Sequence, residues 1–204
     1  MNNKEYRTLP MREIRTTAEN DIKIIQGHAA VFDEWSETLG GIFPFKEKVA
    51  RGAFIKSIEG DDIRALLNHD ANFVLGRNKA GTLELVEDDK GLLVKIYPPD
   101  TQWARDLSKS IERGDISQMS IGFCVTKDEW KSEKDCDTRT LKEVKLFDVS
   151  PVTFPAYPQT DVGVRSHEEY RSQIEQDNAN TQKAQQEANK RLKQRDKLNK
   201  LKFL

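Results

Sequence analysis

Only two of the 204 residues are cysteine, Cys124 and Cys136. That is too few for a disulfide framework, and both are expected to stay reduced. Long apolar runs are missing: a run such as Ile121-Gly122-Phe123-Cys124-Val125 falls far short of the ~18 residues a membrane span needs. Met1-Asn2-Asn3-Lys4-Glu5 leads into charged residues and not into an apolar core, so no secretory signal is expected. An excess of one charge is missing too. Lys and Arg total 33 against 34 Asp and Glu, a net of −1, which provides no overall basic field for nucleic acid or for anionic membranes. No Cys-x-x-Cys or His-x-x-x-His pair is present and the two cysteines stand twelve apart, so no metal site is expected. Leu39-Gly40-Gly41-Ile42 lacks the Lys-Ser/Thr of a phosphate loop, and no cofactor is expected. These absences leave a soluble, intracellular, one-domain protein with neither nucleic acid nor membrane as partner.

Apolar content is low as well. Hydrophobic residues make up 36% and glycine adds 11 residues, below the ~45–50% apolar share of ordinary globular chains. The deficit is local. From Ser166 to Leu204 there is no Gly and no Pro, and 9 Lys/Arg against 6 Asp/Glu give +3, leaving 24 − 28 = −4 for Met1 to Arg165. Helix formers dominate this tail, as in Gln182-Lys183-Ala184-Gln185-Gln186-Glu187-Ala188. Its apolar positions keep no steady 3.5 repeat, which argues against a long coiled coil. The expected division is residues 1–165 as a folded domain and 166–204 as a charged, Gln/Lys-rich helical or disordered tail.

β signals dominate the first part. Gly81 to Val86 and Leu92 to Tyr97 flank the polar turn Glu87-Asp88-Asp89-Lys90-Gly91 and read as a hairpin. Ile22–Phe32, Ile63–Leu67, Ile121–Val125 and Leu141–Val149 read as further strands. One helix carries Trp103, Leu107 and Ile111 at i, i+4, i+8, capped by Asp100 or Thr101 and ended by Gly114. Val49–Ile58 reads as a short second helix or turn. The class is mainly β (α+β) with a few peripheral helices, and the absence of βαβ alternation favours an antiparallel barrel or sandwich.

Of the three histidines, His167 lies in the polar tail and is expected to be solvated, and His28 sits among small residues of a strand, where a structural role is expected. His69 differs. In Asn68-His69-Asp70 it follows the apolar run Ala65-Leu66-Leu67 where a strand ends, held by a sheet yet near solvent, which suits a general base. Ser120 opens a strand, and alternation sets Ser120, Gly122 and Cys124 on one face with Ile121 and Phe123 on the other. Gly122 would leave the backbone open to a substrate chain. This is not the Gly-x-Ser-x-Gly elbow, because Gln118 stands where its first Gly should be. By the same alternation Asp148 shares a face with Val144 and Leu146. A carboxylate on an apolar face needs a donor; a neutral histidine N–H fits, and so does Arg77 or Arg139.

Taken in order, several segments resemble the prohead maturation proteases of tailed phages, serine peptidases related in fold to the herpesvirus assemblins. Gly27-His28-Ala29-Ala30-Val31-Phe32 resembles the opening strand and Arg51-Gly52-Ala53-Phe54 the Gly-Ala-Phe element. Asn68-His69-Asp70, followed by Leu75-Gly76-Arg77 and Gly91-Leu92, resembles the histidine segment, and Ser120-Ile121-Gly122-Phe123 the nucleophile strand. Asp148-Val149-Ser150-Pro151-Val152 with Pro155-Ala156-Tyr157 resembles the closing motif. The spacings of 51 residues from His69 to Ser120 and 28 from Ser120 to Asp148 follow the family's order of histidine, serine, acid. Asp148 stands where many relatives carry Glu, which keeps Glu143 as a rival third member.

The resemblance implies an assemblin-type β-barrel and a serine endopeptidase with His69, Ser120 and Asp148 as a triad. It implies work inside proheads assembling in the host cytoplasm. The implied partners are the major capsid protein and its scaffold segment, together with self-association and self-processing. On this view the tail directs the enzyme into the prohead and is then cut away. A non-enzymatic internal scaffold with a vestigial site is the rival reading.

Overall fold

The computed structural model describes residues 4–8, 14–19, 22–40, 44–134, 136–154 and 167–185. Contacts divide the chain into two units, Met1–Val164 and Arg165–Leu204.

The first unit is mainly β and is organised around its two longest strands. Strand β1 (Glu5–Arg7), β2 (Arg15–Glu19), β3 (Ile22–Val31) and β4 (Phe45–Val49) precede helix α1 (Ile55–Gly60). Strands β5 (Arg64–Leu67), β6 (Asp70–Arg77), β7 (Leu83–Glu87) and β8 (Gly91–Ile96) follow. Helix α2 (Gln102–Glu112), β9 (Gln118–Lys131) and β10 (Asp137–Val152) complete it. One sheet runs β1-β9-β10-β5-β6 with β4 also on β10; the other runs β2-β3-β8-β7. Among the described residues these pairings form two sheets, and no ladder closes them into the barrel expected from the resemblance. The first sheet is also mixed and not purely antiparallel, because β10 pairs β4 and β5 in parallel.

One edge of β10 thus serves two strands, Phe45–Val49 against Asp137–Leu141 and Arg64–Ala65 against Asp148–Val149. The gap between them leaves backbone N–H groups without a ladder partner, and buried donors must find one. The chain around α1 provides it: Val144 N–H donates to the Ala53 carbonyl (3.0 Å), and Leu146 N–H to Ser57 Oγ (2.7 Å). The expected second helix accordingly begins later than Val49, which ends a strand.

A single apolar cluster joins the sheets, with Ile25, Leu92, Val94 and Ile96 from one and Ile121, Phe123 and Val149 from the other. The expected hairpin is β7–β8, with Leu83 opposite Ile96. Helix α2 buries Ala104, Leu107 and Ile111; Thr101 is its N-cap, without a side-chain capping bond. Gly114, at φ 82°, follows the helix end. His28 does a structural job, its Nε2 lying 2.8 Å from Asp88 Oδ2, while Asp88 Oδ1 accepts the N–H groups of Lys90 and Gly91 in the β7–β8 turn.

In the second unit residues 167–185 are helical. His167 is not solvated as expected: it is buried and stacks on Tyr170, ring centroids 6.5 Å apart, since residues three apart share a helix face. The rest of the tail, and Pro155-Ala156-Tyr157, lie outside the described residues.

Candidate active site

The site begins with a tight turn. Strands β5 and β6 are joined by Asn68 and His69 alone, since Leu67 pairs Asp70, and both residues have left-handed backbone at φ 52° and 60°. A two-residue loop with both central φ positive is the type I′ hairpin that matches strand twist. Asn and His both occur there more often than most side chains, yet a non-glycine residue held in this region at a site stores strain of order 1–3 kcal/mol. The turn is pinned to the end of β10: Asn68 N–H donates to the Pro151 carbonyl (3.0 Å), Asn68 Nδ2 to Thr153 Oγ1 (3.1 Å), and Thr153 N–H to Asn68 Oδ1 (2.8 Å). His69 is thereby aimed back across the sheet.

Its target is Asp148, which reaches that face through a bulge. The β9–β10 register slips between Leu146 and Asp148, so Leu146 and Val149, three apart, both point into the core. Asp148 therefore lies on the face opposite Leu146, contrary to strict alternation. It shares that face with Ser150 and, across the ladder, with Gly122 and Ser120: Asp148 is opposite Gly122 and Ser150 opposite Ser120. The alternate residues Met119, Ile121 and Phe123 of β9 enter the core.

The carboxylate is 2% exposed and fully engaged. Oδ1 contacts His69 Nδ1 and accepts from Ser150 Oγ (3.0 Å); Oδ2 accepts from Lys4 Nζ (2.8 Å). Burial works against the charge, but the bonds from His69 and Lys4 outweigh it and hold the carboxyl below its ordinary range. For Lys4 burial works to lower the ammonium, and the bond to Asp148 outweighs it, leaving it raised. A His69 donating from Nδ1 to the charged Asp148 would leave Nε2 as the acceptor nitrogen. Nε2 is buried with no hydrogen-bond partner among the described residues, and the ring lies 4.4 Å from that of Tyr6.

Gly122 is required by this packing. A Cβ there would sit 2.4 Å from Asp148 Oδ2 and 2.8 Å from Lys4 Cε. The space it leaves is filled by the carboxylate and the Lys4 chain, not by the open approach expected for a substrate.

Ser120 stands two residue pairs along the ladder from Asp148, on the same face. Diagonal neighbours on one face lie ~7–8 Å apart, a span one imidazole bridges. Here Ser120 is fully buried and its hydroxyl donates to the Arg7 carbonyl (3.0 Å); no hydrogen bond joins it to His69 among the described residues. The alternatives for Asp148 are engaged elsewhere: Arg77 with Asp62, and Arg139 with Glu47 and Asp128. Glu143 meets Lys56 (2.6 Å) and Thr126.

A family model described as caudovirus prohead serine protease matches residues 8–173. The chain belongs to this family. The prohead protease of Enterobacteria phage HK97 is 28% identical over 155 residues, which cover 74% of this chain and 63% of that protein. The chain thus spans less than two thirds of the length of this prohead-protease relative. No solved structure matches it. In this chain the matched region contains His69, Ser120 and Asp148. Four neighbours of these residues, Lys4, Tyr6, Asn68 and Ser150, have no site role assigned from sequence. Asn68 alone carried a readable signal, since Asn opening a two-residue hairpin loop favours left-handed backbone. No group of three or more His, Cys, Asp or Glu among the described residues forms a metal cluster.

Proposed function

We propose that this chain is a serine endopeptidase that cuts capsid or scaffold protein, and its own tail, in the assembling phage prohead. The observation that carries the reading is the His69 Nδ1–Asp148 Oδ1 contact, made on the sheet face that holds Ser120 two pairs away. Ser120 Oγ attacks the peptide carbonyl carbon as His69 Nε2 takes its proton. The resulting imidazolium is held by Asp148, which keeps its negative charge. His69 then gives the proton to the leaving amine, the C–N bond breaks, and an acyl-Ser120 remains. Water, deprotonated by His69, hydrolyses that ester and restores the hydroxyl.

Asp148 is favoured over Glu143 as the third member because Glu143 is bonded to Lys56 and Thr126. The test is co-expression with the major capsid protein of the same phage. Wild type should trim that protein and shorten its own chain, as read by intact mass, while Ser120→Ala should leave both at full mass but still assemble. Trimming by Ser120→Ala, at any rate near wild type, contradicts the reading and favours a scaffold role.

A further inference from the structure

The proposed nucleophile, base and acid are all engaged by one short segment of the same chain. Strand β1 lies antiparallel on the edge of β9, Tyr6 opposite Gly122 and Arg7 opposite Ile121. Its alternate residues point two ways. Lys4 and Tyr6 turn to the site, Lys4 onto Asp148 and Tyr6 onto the His69 ring. Glu5 and Arg7 turn to a buried charge cluster in which Arg7 Nε meets Glu47 (2.9 Å) and Arg139 meets Glu5 and Glu47. We propose that residues 4–8 are a pseudosubstrate strap, which occupies the β9 edge that receives the peptide to be cut and keeps the enzyme shut. This rests on the catalytic reading above.

Adding an extended peptide to a sheet edge is a general way of binding one, and β9 offers that edge beside Ser120. The seat taken by β1 is unproductive in three respects. A hydroxyl has one proton, and that of Ser120 goes to the Arg7 carbonyl oxygen when catalysis needs it on His69 Nε2. The Lys4 ammonium shares the Asp148 carboxylate with His69. Ser120 is shut off from solvent, and so is Nε2.

The hold is also weak enough to release. The ladder is three residues long, and buried ion pairs such as those of Arg7 are close to break-even against their desolvation. A tethered occupant nonetheless acts at an effective concentration on the order of millimolar. Dilute substrate is excluded, and only substrate packed at comparable density displaces the strap.

The experiment compares the rate of fluorophosphonate labelling of the full chain with that of Lys4→Glu, which sets a second carboxylate against Asp148, and of Tyr6→Gly. Both variants should label at least tenfold faster. Both should also show faster amide exchange at Ile121–Phe123, and millimolar synthetic peptide Lys-Glu-Tyr-Arg-Thr should slow them again. Tyr6→Gly serves if Lys4→Glu does not fold. Equal labelling of variants and parent overturns the strap and leaves the catalytic reading standing. No labelling in a variant whose exchange shows β1 released overturns the catalytic reading, and the inhibition with it.

Discussion

Gly122→Ala places one methyl group where the site has no room. The new Cβ would lie 2.4 Å from Asp148 Oδ2, 2.8 Å from Lys4 Cε and 3.0 Å from Asp148 Cγ. Lys4 Cε belongs to a flexible chain and yields cheaply. The carboxylate does not, because it is buried and held by His69, Ser150 and Lys4. Overpacking by one methyl costs ~1–3 kcal/mol, and each bond to a charged group lost as the carboxylate turns away adds about 1.5–3 kcal/mol. A destabilisation of roughly 2.5–6 kcal/mol follows if one such bond is lost.

The activity loss should be larger than that stability loss suggests. A histidine whose carboxylate no longer fixes its tautomer loses up to ~10⁴ in turnover. Gly60→Ala is the control, since nothing lies within 4 Å of a Cβ there, and it should change neither property. Urea unfolding and turnover of a co-purified capsid substrate measure the two effects. Wild-type turnover in Gly122→Ala with an unchanged unfolding midpoint would refute the packing argument.

Asn68→Ala removes both side-chain bonds to Thr153 and puts Ala at φ 52°; it should cost ~2–3 kcal/mol in urea unfolding and slow turnover by freeing His69. Ser57→Ala strands the Leu146 N–H at the bulge and should cost about 1–3 kcal/mol by the same measurement. Arg139→Met leaves Glu47 and Glu5 buried beside one remaining cation, Arg7, and should cost ~3–5 kcal/mol. For acid, the folded Asp148 carboxyl lies below its unfolded value, so its contribution is complete above about pH 4 and is lost as pH falls through the folded value. Asp62, lowered to about 2 by Arg77, is a second carboxylate held below its ordinary range. The comparison that isolates Asp148 is therefore urea unfolding against pH for wild type and Asp148→Asn, where the variant should show the shallower acid limb.

How much of this was legible follows from what each residue faces. The β7–β8 hairpin and helix α2 announce themselves because their apolar residues keep one period and end in glycine-bearing turns. Strand β4 hides because its inward residues are Phe45, Glu47 and Val49; a buried glutamate breaks the apolar alternation, and its partners Arg7 and Arg139 are distant in sequence. Strand β6 hides because most of it is exposed. His69 and Ser120 could be singled out from their local sequence, but the face occupied by Asp148 could not, since a bulge reverses alternation without a residue type of its own. Residues 4–7 carry no motif at all. Their role comes from lying on β9, and a three-residue polar strand has no periodicity to read.

The most direct test of the central claim is the site of covalent modification by a fluorophosphonate, mapped by peptide mass on the whole chain and on its Lys4→Glu form. The account predicts a single adduct on Ser120 that disappears with His69→Ala. An adduct on Ser150, whose hydroxyl also touches Asp148, or an adduct on Ser120 that survives His69→Ala, would contradict it.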